Sequence, residues 1–140
     1  HDAVEGNALY GLDLSRIHFT GWLDSADYLK VLQASTAHVY LTHPYVLSWS
    51  LMEAMSAGCL VVGSRTPPVE EVLVDGENGL LVDFFDPAAL AKRLLQALRP
   101  AEDWRPLRDR ARQTILERYA LERLLPRHAA LVHQWAGRPA

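Results

Sequence analysis

The sequence predicts an α/β fold in which a parallel sheet carries helices on both faces. Strand-like and helical segments alternate strictly along the first hundred residues, the order of right-handed βαβ units. The run Leu60–Gly63 is apolar throughout, as a strand covered on both sides must be. The helical segments open on residues that cap helices, at Asp24-Ser25, Ser50 and Asp86-Pro87.

Residues 17–22 (Ile-His-Phe-Thr-Gly-Trp) read as a first short strand ending in glycine. A helix follows from the Asp24-Ser25 cap to about Ser35, with Leu29 and Leu32 on its spacing. Residues 37–41 are strand-like, and Pro44 forbids a longer ladder. The pattern Ser50-Leu-Met-Glu53 fits a capping box opening a helix over Leu51–Ala57, which Gly58 ends in a left-handed position. After the Leu60–Gly63 strand, Thr66-Pro67-Pro68 opens a short helix, Val69–Leu73. Turn pairs Asp75-Gly76 and Asn78-Gly79 lead into a strand at Leu80–Val82. The helix from Asp86-Pro87 runs to about Leu98. From Trp104 the pattern is amphipathic, two helices meeting near Tyr119, with Pro126 kinking or restarting the second. The organisation read from this is a partial Rossmann-like unit over residues 1–100 and a helical tail over 101–140.

Composition narrows the function. The chain has 140 residues, 49% of them apolar and 22% charged, the balance of one globular domain. No apolar run approaches the roughly 20 residues of a membrane span. The lone Cys59 cannot build a disulfide framework or a cysteine zinc site, and no signal peptide is visible, so a reducing, cytoplasmic setting is expected. The chain begins at His1, as a piece of a larger protein would. Residues 1–91 hold 3 basic and 12 acidic side chains, net −9, and residues 92–140 hold 11 and 5, net +6. The tail arginines are scattered round the helix and interleaved with Asp109, Glu117 and Glu122. A solvated face laced with ion pairs is therefore expected, rather than a nucleic-acid surface.

Chemistry in such folds gathers beyond the carboxyl ends of the strands. Ser48, Trp49 and Ser50 offer hydroxyls and backbone amides at the start of a helix, a place for a phosphate or diphosphate. Glu53, one turn in, either closes the capping box or accepts hydrogen bonds from a vicinal diol such as a ribose; spacing favours the cap. The Ser64–Pro68 turn is a second anion-receptive place. Of the six histidines only His43, at a strand end, is placed for a site, and no metal set is spaced for ligation. Gly-x-Gly-x-x-Gly, Walker A and Gly-x-Ser-x-Gly sequences are lacking, which disfavours redox dinucleotides, nucleotide triphosphatases and α/β-hydrolases. An acidic cluster with a later lysine, as a receiver domain needs, is lacking too. Cys59 reads as a small core residue, and Trp104 and Trp135 as packing for the tail helices.

From His43 to Asp83 the residues resemble a known family. The run from His43 to Ser64 (HPYVLSWSLMEAMSAGCLVVGS) and the run from Val69 to Asp83 (VEEVLVDGENGLLVD) are similar to the donor-binding half of retaining glycosyltransferases of the GT-B fold, family 4. Their pattern is roughly E-G-F-G-x-x-x-x-E-A-M-A-x-G-x-P-V-V, then x-E-x-x-x-D-G-x-N-G-L-L-V. The similarity covers about residues 10–98, including Arg16–Leu23. The resemblance implies a partial GT-B C-terminal domain that holds a UDP- or GDP-type sugar donor for hexose transfer to a glycan, lipid or small acceptor. By position, Glu53 matches the ribose-binding glutamate, and Ser48 and Trp49 the segment whose amides meet the diphosphate. Gly21 and Leu23 match the loop past the base, and Glu71 the acidic residue after the 60–63 strand. Neither metal nor further cofactor is implied. Tyr45 stands where the pattern has its first glutamate, with Val46-Leu47-Ser48 in place of Gly-Phe-Gly; it either offers a hydroxyl to the donor sugar or packs in the loop.

The family's diphosphate-binding Arg and Lys, its acceptor side and two central strands lie in regions this chain does not contain. The piece is then expected to be inactive alone and to close the gap, expose an edge or pair with another copy. The apolar stripe Leu116, Leu121, Leu124, Leu125, Leu131 and Val132 matches C-terminal helices that cross to the N-terminal domain, and part of it should be exposed. The alternative is a degenerate, non-catalytic donor-domain module serving assembly or regulation.

Overall fold

The computed structural model describes residues 11, 13–43 and 45–137. Pro44 and residues 1–10, where the family resemblance begins, lie outside them. A 3-10 turn at Leu14–Arg16 precedes α1 (Ser25–Ala34), β1 (His38–Tyr40), α2 (Trp49–Ser56), β2 (Val61–Ser64) and α3 (Pro67–Glu70). Then come β3 (Leu80–Val82), α4 (Pro87–Ala97), α5 (Ala101–Arg118) and α6 (Leu121–Ala136). The strands form one parallel sheet in the order β1-β2-β3, with Val39 opposite Val62 and Gly63 opposite Leu81. This is the Rossmann-like α/β class that the sequence predicts.

Every residue of β2 is buried, and its side chains alternate between two cores. Val61 packs with Tyr40, Leu51, Met55, Leu73 and Leu81 under α1, α2 and the second half of α5. Val62 packs with Leu60, Leu80 and Val82 under α4, Trp104 and Leu107. Helix α5 thus supplies both faces, Trp104 and Leu107 to one, Ala111 and Ile115 to the other. It crosses near Gly58, whose carbonyl accepts Arg108 Nε at 2.6 Å. The outer side of β3 is closed at Leu81, whose N–H donates to Asp75 Oδ1 at 2.9 Å and whose carbonyl accepts Arg93 Nε at 3.2 Å. That blunts one sheet edge. The outer side of β1 has no strand beside it among the described residues.

Several local expectations hold. Asp24 caps α1 through the Asp27 amide at 2.9 Å, and Asp86 caps α4 through the Ala89 amide at 2.8 Å. Gly58 takes φ 78° after α2, where a side chain would be strained. Asn78 is buried, its Oδ1 accepting the Val74 amide at 2.6 Å and its Nδ2 donating to the Val72 carbonyl at 3.0 Å. A Cβ on Gly79 would stand 2.9 Å from Leu73, so the tight packing of this turn needs glycine.

Several expectations are corrected. Residues 17–20 are exposed and form no strand, because extended backbone becomes a strand only where a neighbour completes its ladder. Helix α2 opens at Ser48 rather than Ser50, and α3 spans Pro67–Glu70 rather than Val69–Leu73. Helix α6 continues through Pro126 instead of restarting. The proline is exposed, so water can take the Glu122 carbonyl it leaves without a donor. Trp104 packs as expected, Trp135 is 62% exposed, and part of the apolar stripe is exposed as expected, Leu121, Leu125, Leu131 and Val132 each by more than half. Finally, three tail arginines reach carbonyls rather than carboxylates: Arg108 to Gly58, Arg112 to Ser56 at 2.6 Å and Arg118 to Glu71 at 3.4 Å. Two of these guanidiniums sit on the electronegative end of α2. Ion pairs remain at Arg105–Asp109 and Arg110–Glu77.

Candidate donor-binding site

Helix α2 is aimed by what lies beneath it. Leu51, Ala54 and Met55 are fully buried and fix its rotation, which turns Trp49 and Glu53 outward. Its start is pinned by Tyr40 at the end of β1, whose hydroxyl accepts the Ser48 amide at 2.8 Å. Ser48 is the N-cap: its Oγ accepts the Ser50 amide at 3.3 Å and the Ser50 hydroxyl at 3.1 Å.

Of the amides expected to receive an anion, the structure therefore leaves a narrower cradle. The Ser48 amide is taken by Tyr40, and that of Leu51 belongs to a fully buried residue. The Trp49 amide has no acceptor among the described residues, and that of Ser50 is held only by a long bond. Trp49 is 82% exposed, so the cradle is not walled off. An N–H of the first helical turn, a loosely held second one and two hydroxyls can together receive one phosphate group at the positive end of the helix.

Glu53 is free of the capping box that spacing favoured, because the cap lies five residues before it, not three. Its carboxylate instead meets Tyr28 on α1. Burial, then the Glu53 charge and its hydrogen bond, push the phenol's pKa above 10.0. Glu53 forms a wall common to two clefts. One, of about 500 Å3, runs against α1 past Ser25, Tyr28, Leu29 and Gln33. The other, of about 590 Å3, is strongly apolar and runs between α2 and α6 past Leu47, Trp49, Met52, Tyr119, Leu124 and His128. Among the described residues the only arginine lining either cleft is Arg112, which is engaged with the Ser56 carbonyl. Little positive charge is thus at hand for a diphosphate.

The other expected residues are placed as follows. Gly21 turns with φ 64° and is exposed, Leu23 is half-buried, and Ser25 beyond them already lines the Glu53 cleft. Tyr45 is 74% exposed, so it does not pack in its loop. Glu71 is exposed, and its carbonyl accepts Arg118 Nη2 at 3.4 Å. His43 stacks on Phe84 and meets Phe85 edge-on. Cys59 is wholly buried and donates to the Leu32 carbonyl at 2.7 Å, and burial raises its thiol pKa, so it is a core residue. The Ser64–Pro68 turn is closed by Ser64, which is fully buried and bonded both ways to the Thr42 backbone. Sequence reasoning missed Tyr40, which fixes the cradle, and Tyr28, which lines one cleft with Glu53; neither pairing follows a local spacing. Among the described residues no group of three His, Cys, Asp or Glu is placed to hold a metal ion, and no helix is long and apolar enough to cross a membrane.

Known proteins are similar to this chain in sequence and in fold. The chain is 25% identical over 118 residues to N-acetyl-alpha-D-glucosaminyl L-malate synthase of Bacillus anthracis, covering 84% of this chain and 30% of that protein. The solved structure of sucrose-phosphate synthase from Thermosynechococcus elongatus matches with a TM-score of 0.80 at 26% identity, over 96% of this chain and 34% of that one. The Anabaena protein HepE, solved with UDP and glucose, matches with a TM-score of 0.84 at 19% identity, over 95% of this chain and 36% of its own, a likeness of fold. The chain thus spans about a third of the length of each. The family model described as glycosyl transferases group 1 matches residues 2–100. With the parallel sheet and the Ser48–Glu53 helix start inside that span, the chain belongs to the glycosyl transferases group 1 family.

Proposed function

We propose that this chain is the donor-binding part of a retaining glycosyltransferase and that it holds a nucleoside diphosphate sugar against the start of α2. The observation that carries the reading is a Trp49 amide without an acceptor among the described residues, one turn before a Glu53 carboxylate that no cap consumes. The Trp49 and Ser50 amides that would take a phosphate and the Glu53 carboxylate that would take a ribose diol stand about one helical turn apart on α2. In transfer of a hexose, the bond from the anomeric carbon to the diphosphate breaks as the acceptor oxygen joins that carbon. Charge then grows on the departing diphosphate, where fixed amides stabilise it most. Tyr45, exposed beyond β1, offers its hydroxyl to the sugar, and Gly21 and Leu23 border the base.

Scarce positive charge makes the expected affinity weak, and the chain alone is expected not to turn over. Isothermal titration with UDP and GDP tests this, UDP first because HepE was solved with it. Glu53→Ala should weaken binding by about 1–3 kcal/mol through loss of a charged hydrogen bond. Undetectable heat for both nucleotides would favour the second reading, a degenerate module for assembly or regulation, to which the replacement of the family's first glutamate by Tyr45 also points.

A further inference from the structure

We infer that Arg118, Arg123 and Arg127, at the elbow where α5 turns into α6, form a binding site for a phosphate monoester, separate from the α2 cradle. The three side chains line one cleft of about 410 Å3, whose wall Glu117 and Leu124 complete. They come from both arms of the elbow. Arg118 is the last residue of α5, and Arg123 and Arg127 stand on successive turns of α6. No residue of α6 is buried, so an anion shared between Arg118 and the two α6 arginines would tie that helix to α5.

The positive charge of this cleft is left without a counterion. Among the described residues the guanidiniums of Arg123 and Arg127 make no ion pair and no hydrogen bond. Arg118 donates one long bond, of 3.4 Å, to the Glu71 carbonyl, and its guanidinium lies over the Tyr119 ring, 5.2 Å from the centroid. Those two contacts steady its planar fork and leave other N–H groups to donate. Glu117, the carboxylate in the wall, accepts Gln113 Nε2 at 2.7 Å and pairs with none of the three arginines. The arrangement also runs against local preference twice. Arg123 and Arg127 are like charges at i,i+4, a spacing at which they repel. Arg123 stands in the first turn of α6, at the positive end of the helix. A phosphate monoester, with a charge of about −1.5 to −2 at pH 7, relieves both. Guanidinium forks match phosphate oxygens two at a time, which a halide ion does not allow. The cleft is wider than one phosphate group, and half-buried Leu124 gives the carbon stem of an ester an apolar wall.

The test is an NMR titration of the 15N-labelled chain with glycerol 3-phosphate, against sodium chloride at matched ionic strength, following the arginine Nε–H and backbone amide signals. A second arm sediments the chain with phosphatidylcholine vesicles, with and without phosphatidic acid, whose headgroup is also a phosphate monoester. The expected result is a saturable shift at Arg118, Arg123 and Arg127 that chloride does not reproduce, and a Tm that rises with the ester. Arg123→Gln combined with Arg127→Gln should weaken binding by at least about tenfold, through loss of charged hydrogen bonds. Without phosphate the variant should melt no lower than the natural chain, because it has lost only a repulsion. Sedimentation that needs phosphatidic acid and both arginines, with no response to the soluble ester, would assign the phosphate to a lipid headgroup; a response to the soluble ester would assign it to a small metabolite. The inference is overturned if neither arm responds beyond its control, or if the variant binds equally well. A lower phosphate-free Tm of the variant would also overturn it, since the arginines would then serve the fold. The Trp49 and Ser50 amides report the α2 cradle separately, so the donor reading and this site stand or fall independently.

Discussion

Tyr40→Phe isolates the one contact that joins the sheet to the proposed cradle. The Tyr40 ring is 9% exposed and packs in the core, so phenylalanine keeps the packing and removes a single acceptor, the one that takes the Ser48 amide at 2.8 Å. A net intramolecular hydrogen bond contributes about 0.5–1.5 kcal/mol. Ser48 itself is exposed, so water can replace the lost partner, and the full penalty of a buried orphan does not apply. The expected loss is about 1 kcal/mol, which in a chain of 140 residues lowers Tm by about 3–5 °C. Loosening the helix start also adds ordering entropy to anion binding, so UDP affinity should fall about fivefold for the same 1 kcal/mol. Calorimetric melting and a UDP titration well below Tm read the two effects. An unchanged Tm would refute the view that Tyr40 anchors the start of α2. A tighter complex would refute the view that the anchored geometry is the binding-competent one.

Two further outcomes follow from buried groups away from the site. Asn78→Ala removes bonds to the Val74 amide, the Val72 carbonyl and, at 3.3 Å, Thr114 Oγ1 inside the core, so urea melts should show a loss of about 2–4 kcal/mol at unchanged m; a loss below about 1 kcal/mol would contradict the network. Burial holds the His38 pKa below 6.5, so the unfolded chain takes up a proton that the folded one refuses. Stability should therefore decline as pH falls below about 6.5, and His38→Gln should flatten that slope in denaturant melts at a series of pH values.

What the sequence reveals and conceals divides along chain distance. The caps at Asp24 and Asp86, the left-handed Gly58 and the Asn78-Gly79 turn are local bargains between neighbouring residues, and each is legible without coordinates. The 17–20 segment has a strand's residue types but no ladder, because pairing depends on what lies beside it in space. Both Ser48 and Ser50 qualify as caps by residue type. The choice falls to Ser48 because Tyr40, eight residues earlier, holds its amide, and that choice releases Glu53 from the cap. The guanidiniums of Arg108 and Arg112 find carbonyls 50 and 56 residues away, which no helical spacing announces. The candidate site is thus legible in its residues and concealed in its wiring.

The proposed donor cradle is tested most directly by UDP titration of the 15N-labelled chain, following the Trp49 and Ser50 amides. Binding at the start of α2 should move both downfield on one saturable curve, with the Glu53 amide shifting in parallel. Shifts confined to other parts of the chain, or none at UDP concentrations that saturate weak sites, would leave this helix start without its ligand.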